Sequence, residues 1–235
     1  IGDVVRLETP ALRALLSAGK ADAEPGSDFD SILDPLARLE AEIVRARLVE
    51  EQAGRGSLEF AQTYVLPLLE EIGRRWERGE LSIAAEHLAS SLLSSILGEA
   101  LREARPAEAG ATIVFATPSG ERHALGLFVA ALTAAHAGAE AIFLGAEVPE
   151  ADLVASVLRS RASVLALGLV TIDPVEAEGI IRSLRQQLPV RIEIWLGGPG
   201  MPPCAPIAGV ERIANLDQLA SRVALTPLAA DRQAS

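Results

Sequence analysis

The sequence is poor in sulfur and in aromatics: its 235 residues hold one cysteine, one methionine, one tyrosine, two tryptophans and five phenylalanines. The lone thiol, Cys204, has no internal partner for a disulfide and cannot build a multi-cysteine metal site, so a reducing, cytoplasmic setting fits. Positive charge is short as well, with 21 Lys and Arg against 32 Asp and Glu, for a net charge of −11. Phosphate backbones repel such a chain, which makes it a poor nucleic-acid binder by itself. No apolar run reaches the roughly 20 residues that span a bilayer, and no signal-peptide pattern opens the chain. Nor is there an initiator Met: Ile1 reads as a point inside something longer. What the sequence does have is 49% hydrophobic and 23% charged residues, enough apolar mass for one or two soluble globular domains.

The first half carries helical periodicity. Apolar residues recur at helical spacing over 7–16, and a loop rich in Gly, Ala and acids follows over 19–28. Ile32, Leu36, Leu39, Ile43 and Leu48 predict one helix over 32–49. Gly54 to Ser57 breaks it, and a third helix follows over 58–76 with a kink expected at Pro67. A turn at 77–80 and a capping Ser82 introduce a fourth helix over 83–104. Four such helices make a small bundle.

After a linker at 105–110 the pattern alternates. Apolar, β-branched runs predict strands over 112–116, 141–144, 164–170, 191–196 and 209–214. Helices are expected over 121–137, 150–160, 174–187 and 216–223, with a short turn at 203–208. Five such units point to a doubly wound parallel sheet in flavodoxin-like strand order, with ligands at the carboxyl ends of the strands.

Three clusters carry chemistry. The loop Thr117-Pro118-Ser119-Gly120 leads into Glu121-Arg122-His123-Ala124-Leu125-Gly126. A histidine at the carboxyl edge of the sheet has a ring free for a metal, with Glu121 able to hold its other nitrogen and Gly126 leaving room for a flat ligand. A capping histidine without a ligand is the alternative. Leu196-Gly197-Gly198-Pro199-Gly200 removes side chains where a ligand can lie against backbone, or is an ordinary strand-to-helix turn. It is no phosphate loop, because the Gly-Lys-Ser/Thr ending is missing. Trp76, Glu86 and His87 fall at one end of two antiparallel helices and can form an aromatic and polar cover; a core Trp with a surface Glu-His pair is the plainer reading.

Together, Trp76 with Glu86-His87, Glu121-x-His123-x-x-Gly126, Gly168-Leu169-Val170 and Gly197-Gly198 resemble the cobalamin-binding module in order and spacing over about 57–223. The run 76–90 looks most like the light-sensing, MerR-type regulators of the CarH kind. The opening residues 1–7 are similar to the end of a MerR-type winged-helix domain, which puts the DNA-binding head outside this chain. The resemblance implies His123 as lower axial ligand of cobalt. It implies a nucleotide tail beside the 168–170 strand and the loop of Gly197 and Gly198; Ser119, Arg122, Thr171 and Gly200 are further candidates to bind the cofactor. It implies that Trp76, Glu86 and His87 cover an adenosyl group on the upper face, and that light breaks the cobalt–carbon bond and loosens an interface between subunits.

Two positions depart from the family. Gly168 stands where the family has Ser, which removes a hydroxyl worth about 0.5–1.5 kcal/mol as a net hydrogen bond and is expected to leave a small void. Glu77 stands where the photoreceptors carry a histidine that captures cobalt after photolysis. Cys204 beside the glycine loop opens an alternative cofactor, a linear tetrapyrrole such as biliverdin linked through its thiol, with an incidental small apolar residue as the plain reading. Arg74, Arg75 and Arg122 are candidates to pair with propionates.

The expected architecture is an N-terminal four-helix bundle followed by a flavodoxin-like five-stranded parallel sheet. Residues 1–25 are the expected remnant of a DNA-binding domain, 26–105 a helical cap, 110–225 the cobalamin-binding-like α/β domain and 226–235 a disordered tail. The expected function is a non-enzymatic photosensory domain of a transcriptional regulator, with cobalamin, as adenosylcobalamin, held between cap and α/β domain. A homo-oligomer, DNA contact only through another domain, and no membrane are expected. A biliverdin-binding version of the fold and a corrinoid carrier for methyl transfer are the alternatives.

Overall fold

The computed structural model describes residues 29–104, 106, 110–203 and 206–226. The predicted helix at 7–16 and loop at 19–28, the remnant at 1–25, Cys204 and nearly all of the 226–235 tail lie outside them. The chain forms two compact units that part between Ala100 and Leu101.

The helical unit contains α1 (Asp30–Ala37), α2 (Ala41–Arg55), α3 (57–77) and α4 (Ile83–Glu103). The single helix expected over 32–49 is in fact two. Leu39 takes a left-handed conformation, φ 58°. The Glu40 amide reaches back to the Pro35 carbonyl (2.9 Å) and the Leu39 amide to that of Leu36 (3.0 Å). This is the paired bonding of a Schellman stop, here built on leucine rather than glycine. Because apolar spacing continues across it and no Gly marks it, periodicity runs straight through the break. α3 comprises Ser57–Glu59, a π-wound stretch Phe60–Val65 and Leu66–Glu77. The irregularity expected at Pro67 therefore takes the form of a widened stretch just before it, where a missing amide hydrogen disturbs the α ladder. Ser82 caps α4, its hydroxyl accepting from the Ala85 amide at 3.1 Å. Ile32, Leu36, Leu48, Phe60, Leu68, Leu93 and Leu97 are buried and form the apolar face of the unit.

In the α/β unit, β1 (Thr112–Pro118), β2 (Glu140–Val148), β3 (Val164–Gly168), β4 (Glu193–Gly197) and β5 (Val210–Arg212) alternate with α5 (Leu125–His136), α6 (Glu150–Ser160), α7 (Pro174–Gln187) and α8 (Leu216–Ala224). The strand order is β2-β1-β3-β4-β5, and every pairing is parallel. This is the flavodoxin-like sheet expected from the sequence. Alternate residues of the strands feed two cores. Val114, Leu165, Leu167, Ile194 and Leu196 join Leu153, Val157, Ile181 and Leu184 of α6 and α7. Ile113, Phe115, Val164, Ala166 and Trp195 join Leu127, Ala131, Leu219 and Val223 of α5 and α8. Apolar burial on both faces is what makes β1 and β3 read as unbroken apolar runs.

Boundaries differ from the sequence expectation near the carboxyl edge: β2 runs on to Val148 rather than ending at 144, and β5 ends at Arg212 rather than at 214. β3 ends at Gly168, so residues 169 and 170 are loop rather than strand. α5 begins at Leu125, not at residue 121, so Glu121 to Ala124 are loop too. The short turn expected over 203–208 stands, among the described residues, at 208–209. Strand order reverses between β1 and β3, which sets the loops after those two strands side by side at the carboxyl edge of the sheet. Among the described residues, no helix is long and apolar enough to cross a membrane.

Candidate functional site

The loops after β1 and β3 are joined by one carboxylate. Glu121 is fully buried. Its Oε2 accepts the backbone amides of Val170 (2.7 Å), Thr171 (2.6 Å) and Ile172 (3.1 Å). Its Oε1 accepts the His123 amide (2.9 Å), lies 2.7 Å from His123 Nδ1, and takes a long bond from the Thr171 hydroxyl (3.4 Å). That hydroxyl is also 3.1 Å from His123 Nδ1. Thr117 locks the same loop from beneath. Its buried hydroxyl donates to the Glu121 carbonyl and accepts the Glu147 amide at 3.0 Å.

Burial works to raise the Glu121 pKa, but the hydrogen bonds from the His123 ring and amide and from the Thr171 and Val170 amides outweigh it and bring it down to about 2. Glu121 is therefore an anion at neutral pH and can only accept. The neutral His123 ring then donates through Nδ1, which puts its lone pair on Nε2. The ring is 31% exposed, so Nε2 can meet a ligand while Nδ1 is held inside. Among the described residues no group of three or more His, Cys, Asp or Glu side chains suits a metal ion. One imidazole is a poor cage for a free ion, which needs three or four protein donors; it suits a metal whose other positions are already filled.

The glycines divide into two kinds. Gly126 and Gly197 would meet nothing within 4 Å if given a side chain. Gly198, at φ 101°, would place a Cβ 2.2 Å from the Leu169 carbonyl oxygen, and Gly200 one 2.8 Å from that of Val170. The Leu169 amide donates to Gly197 (2.9 Å) and the Gly200 amide to Leu169 (2.9 Å). Gly198 and Gly200 thus allow the loops after β3 and β4 to lie backbone on backbone, which accounts for them without any ligand. At Gly168 the expected void does not exist. A Cβ there would lie 3.3 Å from Leu127 Cβ and 3.4 Å from Thr117 Cγ2, so neighbouring side chains already fill the place of the serine.

The remaining candidates are placed as follows. Ser119 and Arg122 are exposed at the carboxyl edge, and Arg122 pairs with Glu147 at 3.4 Å. Val170 and Thr171 belong to the Glu121 cradle. In the helical unit, Trp76 is half-buried near the end of α3, and Glu86 and His87 lie in the first turn of α4. The turn 78–82 links those two helix ends. Glu86 accepts from Ser90 (2.8 Å) and pairs with the exposed His87 (2.8 Å). Arg74 and Arg75 both pair with the buried Glu71, and Arg75 also with Asp30, so they are engaged within their own unit. Sequence reasoning missed Thr117, Leu127 and the Ile172 amide. Thr117 could have been found as the polar residue at the end of the apolar β1 run.

Comparison with known proteins finds relatives of the chain. Residues 29–100 match the family described as B12 binding domain. The chain is 33% identical over 180 residues to the HTH-type transcriptional repressor CarH of Myxococcus xanthus, covering 75% of this chain and 60% of that one. The HTH-type transcriptional repressor CarA of the same organism is 36% identical over 111 residues, 47% of this chain and 37% of that one. This chain therefore spans 60% or less of these relatives' length. The Methanosarcina barkeri monomethylamine corrinoid protein shares the fold, with a TM-score of 0.63 at 16% identity over 85% of this chain and 98% of that one.

Proposed function

From a chain related in sequence to the CarH-type repressors, with residues 29–100 matching a B12 binding domain, we propose a non-enzymatic sensory part of a transcriptional regulator that binds a cobalamin-type cofactor through His123. The observation that carries this reading is the single imidazole whose tautomer is dictated by a buried, six-fold hydrogen-bonded carboxylate. When bound, the corrinoid would be held by His123 and would supply a cobalt that takes an imidazole nitrogen and, in its adenosyl form, sensitivity to light. The work of the chain is to hold Nε2 bare and aimed outward, to keep the Nδ1 proton on Glu121, and to fix the loop that carries both. Trp76, Glu86 and His87 are the helical unit's contribution to recognition. DNA contact belongs to a segment outside this chain, and assembly with further copies carries the response. Capture of cobalt by a side chain next to Trp76 is not part of the proposal, since Glu77 stands there.

The test is a visible titration of the chain with hydroxocobalamin and adenosylcobalamin, in the dark and after illumination, alongside His123→Ala. Binding by the wild type, with nitrogen hyperfine coupling in the reduced cobalt(II) form that His123→Ala abolishes, supports the reading. An unchanged spectrum in the variant refutes the ligation. The biliverdin alternative has no support in the comparisons, and its attachment residue, Cys204, lies outside the described residues. The corrinoid-protein likeness is one of fold and carries no argument for methyl transfer.

A further inference from the structure

At the far side of the same sheet edge, Arg212 is the last residue of β5, exposed, and in register with Leu196 of β4. Its neighbour across the strand pair is thus the start of the glycine loop. The guanidinium donates through one nitrogen to the Pro202 carbonyl at 2.5 Å, which pins it against that loop. Arg122, Arg182 and Arg222 of this unit each face a carboxylate, and Arg185 is spent on four backbone carbonyls. Arg212 has no carboxylate partner among the described residues, in a chain that carries 32 acidic residues. Next to it, Gly197 leaves the backbone open, with nothing within 4 Å of where a side chain would stand. A fixed, uncompensated fork of N–H donors beside bare backbone at the carboxyl edge of a parallel sheet is suited to an anionic oxygen of a ligand lying on that edge.

We propose that Arg212 contacts the phosphodiester of the corrinoid's nucleotide appendage as it passes over Gly197. This rests on the cobalamin reading above. The net charge of −11 otherwise disfavours an anionic appendage, and Arg212 offsets that repulsion at the point of contact. Pro202 holds the side chain in place before the ligand arrives, so little rotamer freedom is lost on binding.

The experiment compares hydroxocobalamin, which carries the phosphodiester, with cobinamide, which lacks the whole nucleotide, on wild type, Arg212→Gln and Arg212→Lys. A charge-assisted hydrogen bond is worth about tenfold in affinity. Arg212→Gln should lose about that factor for hydroxocobalamin and nothing for cobinamide, which also shows that the fold of the variant is intact. Arg212→Lys should keep part of the preference, and added salt should erode it in the wild type. Equal losses for both ligands, or no loss for hydroxocobalamin, overturn the assignment. Failure of the wild type to bind either ligand is a different signature: it sinks the cobalamin reading, and the Arg212 contact with it.

Discussion

Replacing Glu121 by Gln separates the charge of the carboxylate from its shape. The side chain is fully buried and has two oxygens with two different audiences: three backbone amides on Oε2, and the His123 amide and ring on Oε1. A glutamine can satisfy only one of them. Turning its NH2 toward the three amides would oppose three donors with a donor, so the carbonyl must take that side. The NH2 then faces His123, where the backbone amide loses its acceptor. The ring can accept from the NH2 only if its proton moves from Nδ1 to Nε2. Losing the charge on three amide bonds and one buried acceptor costs about 3 kcal/mol of stability. The larger effect falls on function. An Nε2–H imidazole has no lone pair at Nε2 for a metal, and restoring the Nδ1–H form means breaking the new hydrogen bond, about 1–3 kcal/mol or roughly a 5- to 150-fold loss of imidazole ligation. Urea unfolding gives the first number, and corrinoid titration with ring nitrogen-15 shifts gives the second. A Glu121→Gln protein that keeps the Nδ1–H tautomer and full affinity would refute the claim that Glu121 sets the ligand form of His123.

The same geometry gives two further expected outcomes. Because the folded-state pKa of Glu121, about 2, lies below its ordinary 4.5, its stabilisation is complete above pH 4.5 and is lost as pH falls through 2. The stability gap between wild type and Glu121→Gln should therefore narrow by up to about 3 kcal/mol over that window, read from urea unfolding at stepped pH; a gap independent of pH would contradict it. Gly198→Ala, at φ 101° with its Cβ 2.2 Å from a carbonyl oxygen, should cost more than about 2 kcal/mol, whereas Gly197→Ala, in open space, should change thermal unfolding little.

Much of the architecture was legible because it rests on local periodicity. β1 and β3 are apolar on both faces, and α6 and α7 start and stop where the pattern says, at Glu150–Ser160 and Pro174–Gln187. The break at Leu39 was not legible, because a Schellman stop usually announces itself by glycine and here does not. The start of α5 was misplaced by four residues for a related reason. Glu121 to Ala124 are helix-compatible residues, and what keeps them out of the helix is a carboxylate tied to amides 49 to 51 residues away.

The same distance explains why the site was only half readable. His123 and Glu121 stand two residues apart, so a carboxylate beside a ring nitrogen can be guessed from spacing alone. What makes that carboxylate effective is its fixed place, and this comes from amides that have no side-chain identity to read. Any residues at 170–172 offer the same three N–H groups, provided the backbone turns there. The turn in turn depends on the loops after β3 and β4 lying backbone on backbone, which Gly198 and Gly200 permit. The glycine loop therefore acts on the imidazole at a distance: glycine at 198 and 200 lets the 169–172 segment settle, that segment holds Glu121, and Glu121 decides which nitrogen of His123 is bare. On this view, glycines that look like ligand contacts in the sequence serve first as the foundation of the ligating tautomer.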